Sequence, residues 1–404
     1  RHARHQRLKD RLKASDDQDD FSSLFAPALA QEFALMADTD LARREIAALF
    51  RCDLNLMISE VEIQLLLEHF SLPASALHWC PLMLDPPSAD FVPFEDRAHF
   101  LSIGNFRHAP NWDAVLWMKN AVWPLIRQQL PGAQLHIYGA YTPPKATALH
   151  NAAQGFHIMN WAEDALQVMS AARICLAPLR FGAGIKGKIV DAMLCGTPNV
   201  TTPVGAEGMA GDMPWPGAIA ESAQGLADAA VRLYQDQGLW QQAQRAGVEV
   251  LNGRYRQAIH GPALISRLQH CREHLAEWMQ AESHPAPFPG CEARVDYQPL
   301  GVVGVISPWN FPIVLAFGPL ASIFAAGNRA MLKPSELTPR TSTLLAELIA
   351  RYFDANELST VLGSAETGAL FSAQPFDHLI FTGGTAVGRH IMRAAADNLV
   401  PVTL

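Results

Sequence analysis

The sequence predicts an α/β protein with two Rossmann-like parallel-sheet domains in tandem. Three observations predict it. Apolar runs such as FLSIGN (100–105) and ICLAPL (174–179) alternate with amphipathic stretches of helical spacing, the rhythm of strand–helix–strand units. The runs are continuously apolar, as strands covered on both faces are. The rhythm also occurs twice, over about 100–202 and again from about 302, with the Pro-rich seam ESHPAPFPG (282–290) between.

The elements follow in order. Residues 1–20 are charged and polar, a solvated helix or frayed end without assigned chemistry. Helical patterning runs to about Phe50. Asp53–Ile58 reads as a short strand, and Ser59 is placed to cap the helix SEVEIQLLLEHF, with Glu62 closing a capping box. Leu84–Pro93 reads as a linker. After the strand at Phe100, Asn111 opens a helix with Val115, Met118, Val122 and Leu125 on one face, ended by Pro131-Gly132. QLHIYG (134–139) and FHIMN (156–160) are strands, and Ala162–Ala172 is a helix. The strand ICLAPL leads through a Gly-rich loop to the helix Lys186–Cys195, stopped by Gly196 and Pro198; NVTT (199–202) is a strand. Ala223–Gln235 and Leu239–Trp278 are helical. In the second region Val302–Ser307 is a strand, Pro308–Phe311 a turn and Pro312–Ala326 a buried helix. Ala330–Lys333, Ser359–Leu362, His378–Thr382 and Pro401–Leu404 are strands, separated by helices at Thr338–Phe353, Thr367–Ala373 and Ala386–Asp397. The chain thus divides into 1–85, 86–275 and 276–404.

With 404 residues there is chain enough for two or three cores without disulfide staples. A formal charge of -8, from 31 Lys and Arg against 39 Asp and Glu, argues against a nucleic-acid partner. Six cysteines fall without CxxC or metal-like spacing, so a reduced, cytoplasmic protein without a metal is expected. Pro299–Asn328 carries no charge and is long enough to span a bilayer, but Pro308, Asn310, Pro312 and Pro319 interrupt it, so no stable membrane span is expected. No signal-peptide pattern opens the chain, and since it starts at Arg1 its natural N-terminus is expected further upstream.

Two stretches carry chemistry. In RFGAGIKGKIVDAMLCGTPNVTTPVGAEG (180–208), Gly182, Gly184 and Gly187 let backbone approach a ligand. The helix N-terminus together with Lys186 and Lys188 favours a phosphate or diphosphate, and Asp191 one turn on is placed to accept bonds from sugar hydroxyls. Taken alone, such a loop reads equally well as a tight turn with solvated lysines. With SIGNFRHAPNWDAV (102–115), LPGAQLHIYGA (130–140) and LNLMISEVE (54–62), this stretch resembles the nucleotide-sugar-binding domain of group 1 glycosyltransferases of the GT-B fold, over about 45–270. The resemblance implies a nucleotide-sugar donor bound without a metal. Lys186 and Lys188 would neutralise its diphosphate, with Gly184 in the binding loop and Arg107 as a weaker helper. Asp191 stands where the family has a ribose-binding Glu. Charge developing on the leaving diphosphate would be stabilised electrostatically. Residues 1–85 are too short for the family's other domain, so they are expected to be its remnant, without an acceptor site. His108, His136 and His157 read as loop or strand histidines.

The second stretch runs from Pro299. Its PWNFP (308–312), KPSE (333–336) and LIFTGGTAVGRHI (379–391) resemble the aldehyde dehydrogenase superfamily, in its coniferyl-aldehyde-dehydrogenase-like branch, over about 276–404. Asn310, in a turn after a buried strand, is a neutral donor; the resemblance makes it an oxyanion-hole group. It gives Lys333 and Glu336 the adenosine ribose of NAD or NADP, Gly383 and Gly384 the pyrophosphate, and Trp309 the lining of the passage. The family's general-base Glu and nucleophilic Cys follow the point reached at Leu404, and Cys291 has no route to replace them, so dehydrogenase activity is not expected. Three readings stand: a glycosyltransferase domain fused, naturally or as a gene-assembly chimera, to a truncated dehydrogenase segment, a working glycosyltransferase with a passive appendage, and a non-catalytic nucleotide-binding protein. An oxidoreductase, read from the C-terminal segment, is a further alternative. The partners expected are small-molecule nucleotides, with self-association through exposed edges such as PVTL (401–404).

Overall fold

The computed structural model describes residues 10, 37–50, 55–85, 90–285, 288, 291–310 and 312–404. The charged stretch at 1–20 lies, apart from Asp10, outside the described residues, as do 51–54 of the first expected strand, 86–89 of the linker and parts of the seam. The chain forms two compact units, Arg1–Pro262 and Ala263–Leu404. The expected blocks 1–85 and 86–275 therefore begin in one unit, and the division falls inside the helix Gln257–Trp278.

In the first unit, β1 (Asn55–Met57) and β2 (Leu77–Trp79) form a parallel pair around the helix Glu60–Phe70. Ser59 takes the N-cap position, but its hydroxyl makes no cap bond, so the expected capping box is not closed. A six-stranded sheet follows: β3 (Ala98–Ile103), β4 (Leu135–Tyr138), β5 (Phe156–Asn160), β6 (Ala172–Ala177), β7 (Asn199–Thr201) and β8 (Gly217–Ile219). Its order is β5-β4-β3-β6-β7-β8, with every pair parallel. The chain winds outward from β3, then crosses back to start again at β6. The switch point between those two strands is where open α/β sheets hold ligands.

Both sheet faces are covered, which is why the strands read as unbroken apolar runs. Phe100, Leu135, Ile137 and Phe156 pack with Trp123, Ile126, Leu226 and Ala230; Leu101 and Cys175 on the other face meet Met169, Ala192 and Cys195. The helix expected from Asn111 starts at Ala109, runs to Trp117, loosens into a π turn at Met118–Val122 and resumes at Trp123–Gln129. Pro124 sits in the first turn of that last segment and has no N–H to donate back, which accounts for the wider turn before it. The expected helix Leu239–Trp278 is two, Gln237–Arg254 and Gln257–Trp278. At the break, Leu84 donates to the Tyr255 carbonyl (2.7 Å) and accepts from Gln257 (3.1 Å).

The second unit opens with an antiparallel pair, β9 (Glu282–His284) and β10 (Ala293–Val295). Five strands, β11 (Val302–Ile306), β12 (Arg329–Lys333), β13 (Leu358–Thr360), β14 (His378–Phe381) and β15 (Val402–Thr403), form a parallel sheet of order β13-β12-β11-β14-β15. Here the switch point lies between β11 and β14. Val303, Val305 and Leu332 pack with Ala316, Leu320 and Leu345, and Leu379 and Phe381 pack with Ile391 and Ala395. The apolar helix Val314–Ala325 contains Pro319. Among the described residues no helix is long and apolar enough to cross a membrane.

Candidate functional site

Each unit gathers its chemistry at its own switch point. In the first, β3 runs into the loop from Gly104 to His108, and β6 runs into the glycine-rich loop ahead of the helix Gly187–Leu194. The Lys188 ammonium donates to Asn111 Oδ1 (2.7 Å), and Asn111 Nδ2 donates to the Asn105 carbonyl (3.1 Å). The two loops are so close that a Cβ on Gly104 would stand 2.6 Å from Asn111 Nδ2 and 2.9 Å from Lys188 Nζ. A methyl there would have to displace both side chains. Burial pushes the Lys188 ammonium down to about 8, although the neighbouring Cys175 favours its charge.

Lys186 is buried at the N-cap of the same helix. Its ammonium donates to the Gly184 carbonyl (2.6 Å) and its N–H to Met209 Sδ (3.3 Å). Gly184 has φ 72, the left-handed region that glycine adopts freely. No side chain caps this helix, so its positive end is left for a ligand. Asp191 lies one turn along, its carboxyl pushed up to about 6 by burial. Two further residues, which sequence reading did not select, fix the loop: Arg180 makes a two-pronged pair with Asp113 (2.9 and 2.6 Å) on the helix Ala109–Trp117.

Gly184, Lys186, Lys188 and Asp191 thus share one loop and one helical turn, joined across the switch point by Gly104 and Asn111. Arg107 does not join them. It is exposed, with its guanidinium 3.8 Å above the Tyr141 ring. A narrow cleft is lined by Gly104, Phe106, Asn111, Tyr138 and Lys188, and a wider cavity of about 640 Å³ by Phe106, Arg107, Trp112, Tyr141 and Lys145. Asn111 stood in the sequence inside SIGNFRHAPN but read only as a helix start. Its pairing with a lysine 77 residues away has no local signal.

In the second unit the expected groups sit at three strand ends. Trp309 and Asn310 follow β11 and are exposed; Phe311 lies outside the described residues. Lys333 ends β12, is buried, and donates to the Pro334 carbonyl (3.0 Å) and to Glu336 Oε2 (3.0 Å). Burial works against the ionised form of Glu336, but its own backbone N–H and the Lys333 ammonium outweigh that and hold its carboxyl below the usual range. Gly383 and Gly384 follow β14. Thr382 donates to the Ile306 carbonyl (3.1 Å), which keeps this turn beside the end of β11. Gly384 is the N-cap of the helix Thr385–Ala396, with no side-chain cap, and a Cβ there would meet nothing within 4 Å. Ser307, also at the end of β11, is buried, and its hydroxyl has no hydrogen-bond partner among the described residues. An open, uncapped helix start, a donor–acceptor pair and an orphaned hydroxyl fit a ligand carrying phosphates and ribose.

Comparison with known proteins separates the same two regions. The model of the Glycosyl transferases group 1 family matches residues 97–236, and that of the Aldehyde dehydrogenase family matches 254–404. The second match begins ahead of the expected boundary at 276. Coniferyl aldehyde dehydrogenase of Pseudomonas sp. (strain HR199 / DSM 7063) is 82% identical over 140 residues, 35% of this chain and 29% of the relative. Probable coniferyl aldehyde dehydrogenase of Caulobacter vibrioides is 57% identical over 145 residues, 35% of this chain and 30% of the relative. The chain therefore spans less than a third of the length of these relatives. A solved structure of a mutant Staphylococcus aureus TarM in complex with Fondaparinux, alpha-GlcNAc-glycerol and UDP covers 59% of this chain and 46% of its own at 12% identity and a TM-score of 0.47, too slight a likeness to add weight.

Proposed function

The chain carries a group 1 glycosyltransferase domain over 97–236 and an aldehyde dehydrogenase domain over 254–404, and from that premise we propose that its first unit binds the nucleoside diphosphate of a nucleotide-sugar donor and supports transfer of the sugar. The observation that carries this reading is the convergence of the Lys188 ammonium, Gly104 and the uncapped start of Gly187–Leu194 at the switch point between β3 and β6. Lys188 and Lys186 hold diphosphate oxygens, the first-turn N–H groups add donors, and Asp191 accepts from ribose hydroxyls. Negative charge that grows on the diphosphate as the sugar leaves meets cations already in place. Calorimetry with UDP and GDP on the 404-residue chain tests it. The expected result is micromolar-range binding of at least one of them, weakened in Lys188→Gln; no heat with either overturns it.

The second unit is proposed to hold NAD or NADP, which would supply a hydride acceptor when bound. Lys333 and Glu336 would bind the ribose, the Gly383–Gly384 turn would admit the pyrophosphate, Trp309 would line the passage, and Asn310 would offer its amide to an aldehyde oxygen. We assign cofactor binding to this stretch. Calorimetry with NAD and NADP on the 404-residue chain tests it, and no heat with either would refute that assignment. Free Cys80, Cys175 and Cys195, all buried, suit a reducing compartment such as the cytoplasm. The edge strand β15 is proposed as a route to self-association.

A further inference from the structure

We propose that the wider cavity of the first unit is a second anion subsite, built for a phosphate group on an apolar or aromatic carrier. It is lined by Phe106, Arg107, Trp112, Tyr141 and Lys145 and, at about 640 Å³, falls within the ordinary range for small-molecule sites. Its wall contains two cations and no carboxylate. The Arg107 guanidinium lies 3.8 Å over the Tyr141 ring and the Lys145 ammonium 4.5 Å from the Trp112 ring. Neither has a carboxylate partner among the described residues. Aromatic faces hold cations in place without neutralising them, so both charges stay available to an incoming anion.

Two further observations point the same way. Tyr141 has φ 57, in the left-handed region that a tyrosine seldom adopts, and its ring lies under the Arg107 guanidinium. The nine-residue helix Ala109–Trp117 begins in the cavity wall, and the positive end of its dipole adds to the two cations. The cavity is also distinct from the Lys188 cleft. Phe106 lines both, but Asn111 and Lys188 line only the narrow cleft, and Arg107, Trp112, Tyr141 and Lys145 line only the wider cavity. The aromatic walls select the carrier: a phosphate bearing an apolar or aryl group buries that group against Trp112, Tyr141 and Phe106. This subsite stands whether or not the Lys188 cleft takes a nucleotide.

Phenyl phosphate and inorganic phosphate are titrated into the 404-residue chain, alone and with UDP at saturation. Phenyl phosphate is expected to bind about tenfold more tightly than inorganic phosphate, with an affinity indifferent to UDP. Lys145→Gln and Arg107→Gln, both of exposed residues, are each expected to weaken it at least tenfold, with far-UV circular dichroism confirming the fold. Competition by UDP, or full binding in both variants, overturns the second subsite; equal affinity for the two phosphates overturns the apolar carrier. If UDP fails to bind at all, the variants still decide the matter.

Discussion

The two parallel sheets run in the same order about their switch points, β5-β4-β3-β6-β7-β8 in the first unit and β13-β12-β11-β14-β15 in the second, yet they treat the same place differently. The first fills it. Lys186 is buried, Lys188 is tied to Asn111, and a methyl on Gly104 would have to displace the Asn111 and Lys188 side chains. The second leaves it open, with Trp309, Asn310, Gly383 and Gly384 all exposed and space beyond Gly384. Topology thus chose the location of both sites, and loop residues chose their chemistry. The cores differ as well. Trp117, Trp123 and Trp240 are buried in the first, whereas the described core of the second holds aliphatic side chains and phenylalanine.

The largest expected effect addresses the cores. Trp240 is 1% exposed, its indole N–H donates to the Arg173 carbonyl (2.7 Å), Phe94 packs edge-on at 5.5 Å, and the Arg97 guanidinium lies 5.0 Å from its ring. Trp240→Ala removes all three contacts and leaves a cavity, a loss of about 3–5 kcal/mol. Urea unfolding followed by circular dichroism is expected to show two transitions, with only the first moved by the variant. A single transition that shifts as a whole would sink the idea of two independent cores.

Next in size is the contrast between the buried cations. Lys188→Gln is expected to weaken nucleoside diphosphate binding by about 10- to 100-fold, the worth of a charged hydrogen bond of about 1.5–3 kcal/mol. Lys333 is already committed to Glu336 and Pro334, so Lys333→Gln is expected to weaken NAD binding by less, about tenfold or under. The Lys188 cation is lost above its depressed value of about 8, so diphosphate binding is expected to fade as pH rises through 8. The same limb should be missing in Lys188→Gln, and titration calorimetry from pH 6.5 to 9 checks both.

The strands and most helices were legible because buried parallel strands are unbroken apolar runs and their covering helices are amphipathic. Phe156–Asn160 and Ala223–Gln235 match the sequence reading to the residue. What was not legible was held by distant contacts. Strand β8, GAI, is three residues behind Pro214-Trp215-Pro216 and exists because β7 pairs with it. Strand β9 lies in the segment read as a seam and β10 just beyond it, and their residues are mostly polar and exposed. The break after Arg254 depends on Leu84, far back in the chain. The sites divide in the same way. Lys186, Lys188, Lys333 and Glu336 carry their charge in the sequence. The Lys188–Asn111 bond and the stacking of Arg107 on Tyr141 arise only when separate loops meet.

Acid should also separate the units. His99, His136 and His157 sit on β3, β4 and β5, with ring centroids 4.0 and 5.4 Å apart along the row, and His150 lies 5.4 Å from His157. Burial, then the neighbouring imidazole, lowers all three strand histidines, and His99 falls to about 4. A histidine held neutral by the fold contributes stability that is complete above its unfolded value near 6.5 and is lost as pH falls toward 4. The second unit has His378, lowered by burial alone. Thermal melts at pH 7 and pH 5 are therefore expected to show the first transition falling further, by about 2 kcal/mol allowing for solvent screening. Equal falls would mean that the row is not coupled.

The smallest effect on stability is expected at Gly384, and it tests the openness of the second site most directly. Its φ is -71, a conformation any residue adopts, and an added Cβ has no neighbour within 4 Å. Gly384→Ala should therefore stay within about 0.5 kcal/mol of the parent in stability. The same methyl would project at the uncapped start of Thr385–Ala396, where an approaching pyrophosphate needs the backbone bare. A fall in NAD affinity of threefold or more with unchanged melting fits an open site that admits the cofactor by its glycines. Gly104→Ala in the first unit should behave in the opposite way, losing stability along with diphosphate binding, because its methyl meets Asn111 and Lys188. If Gly384→Ala unfolds the second unit instead, the glycine turn is a packing device and the open-site reading of that switch point fails.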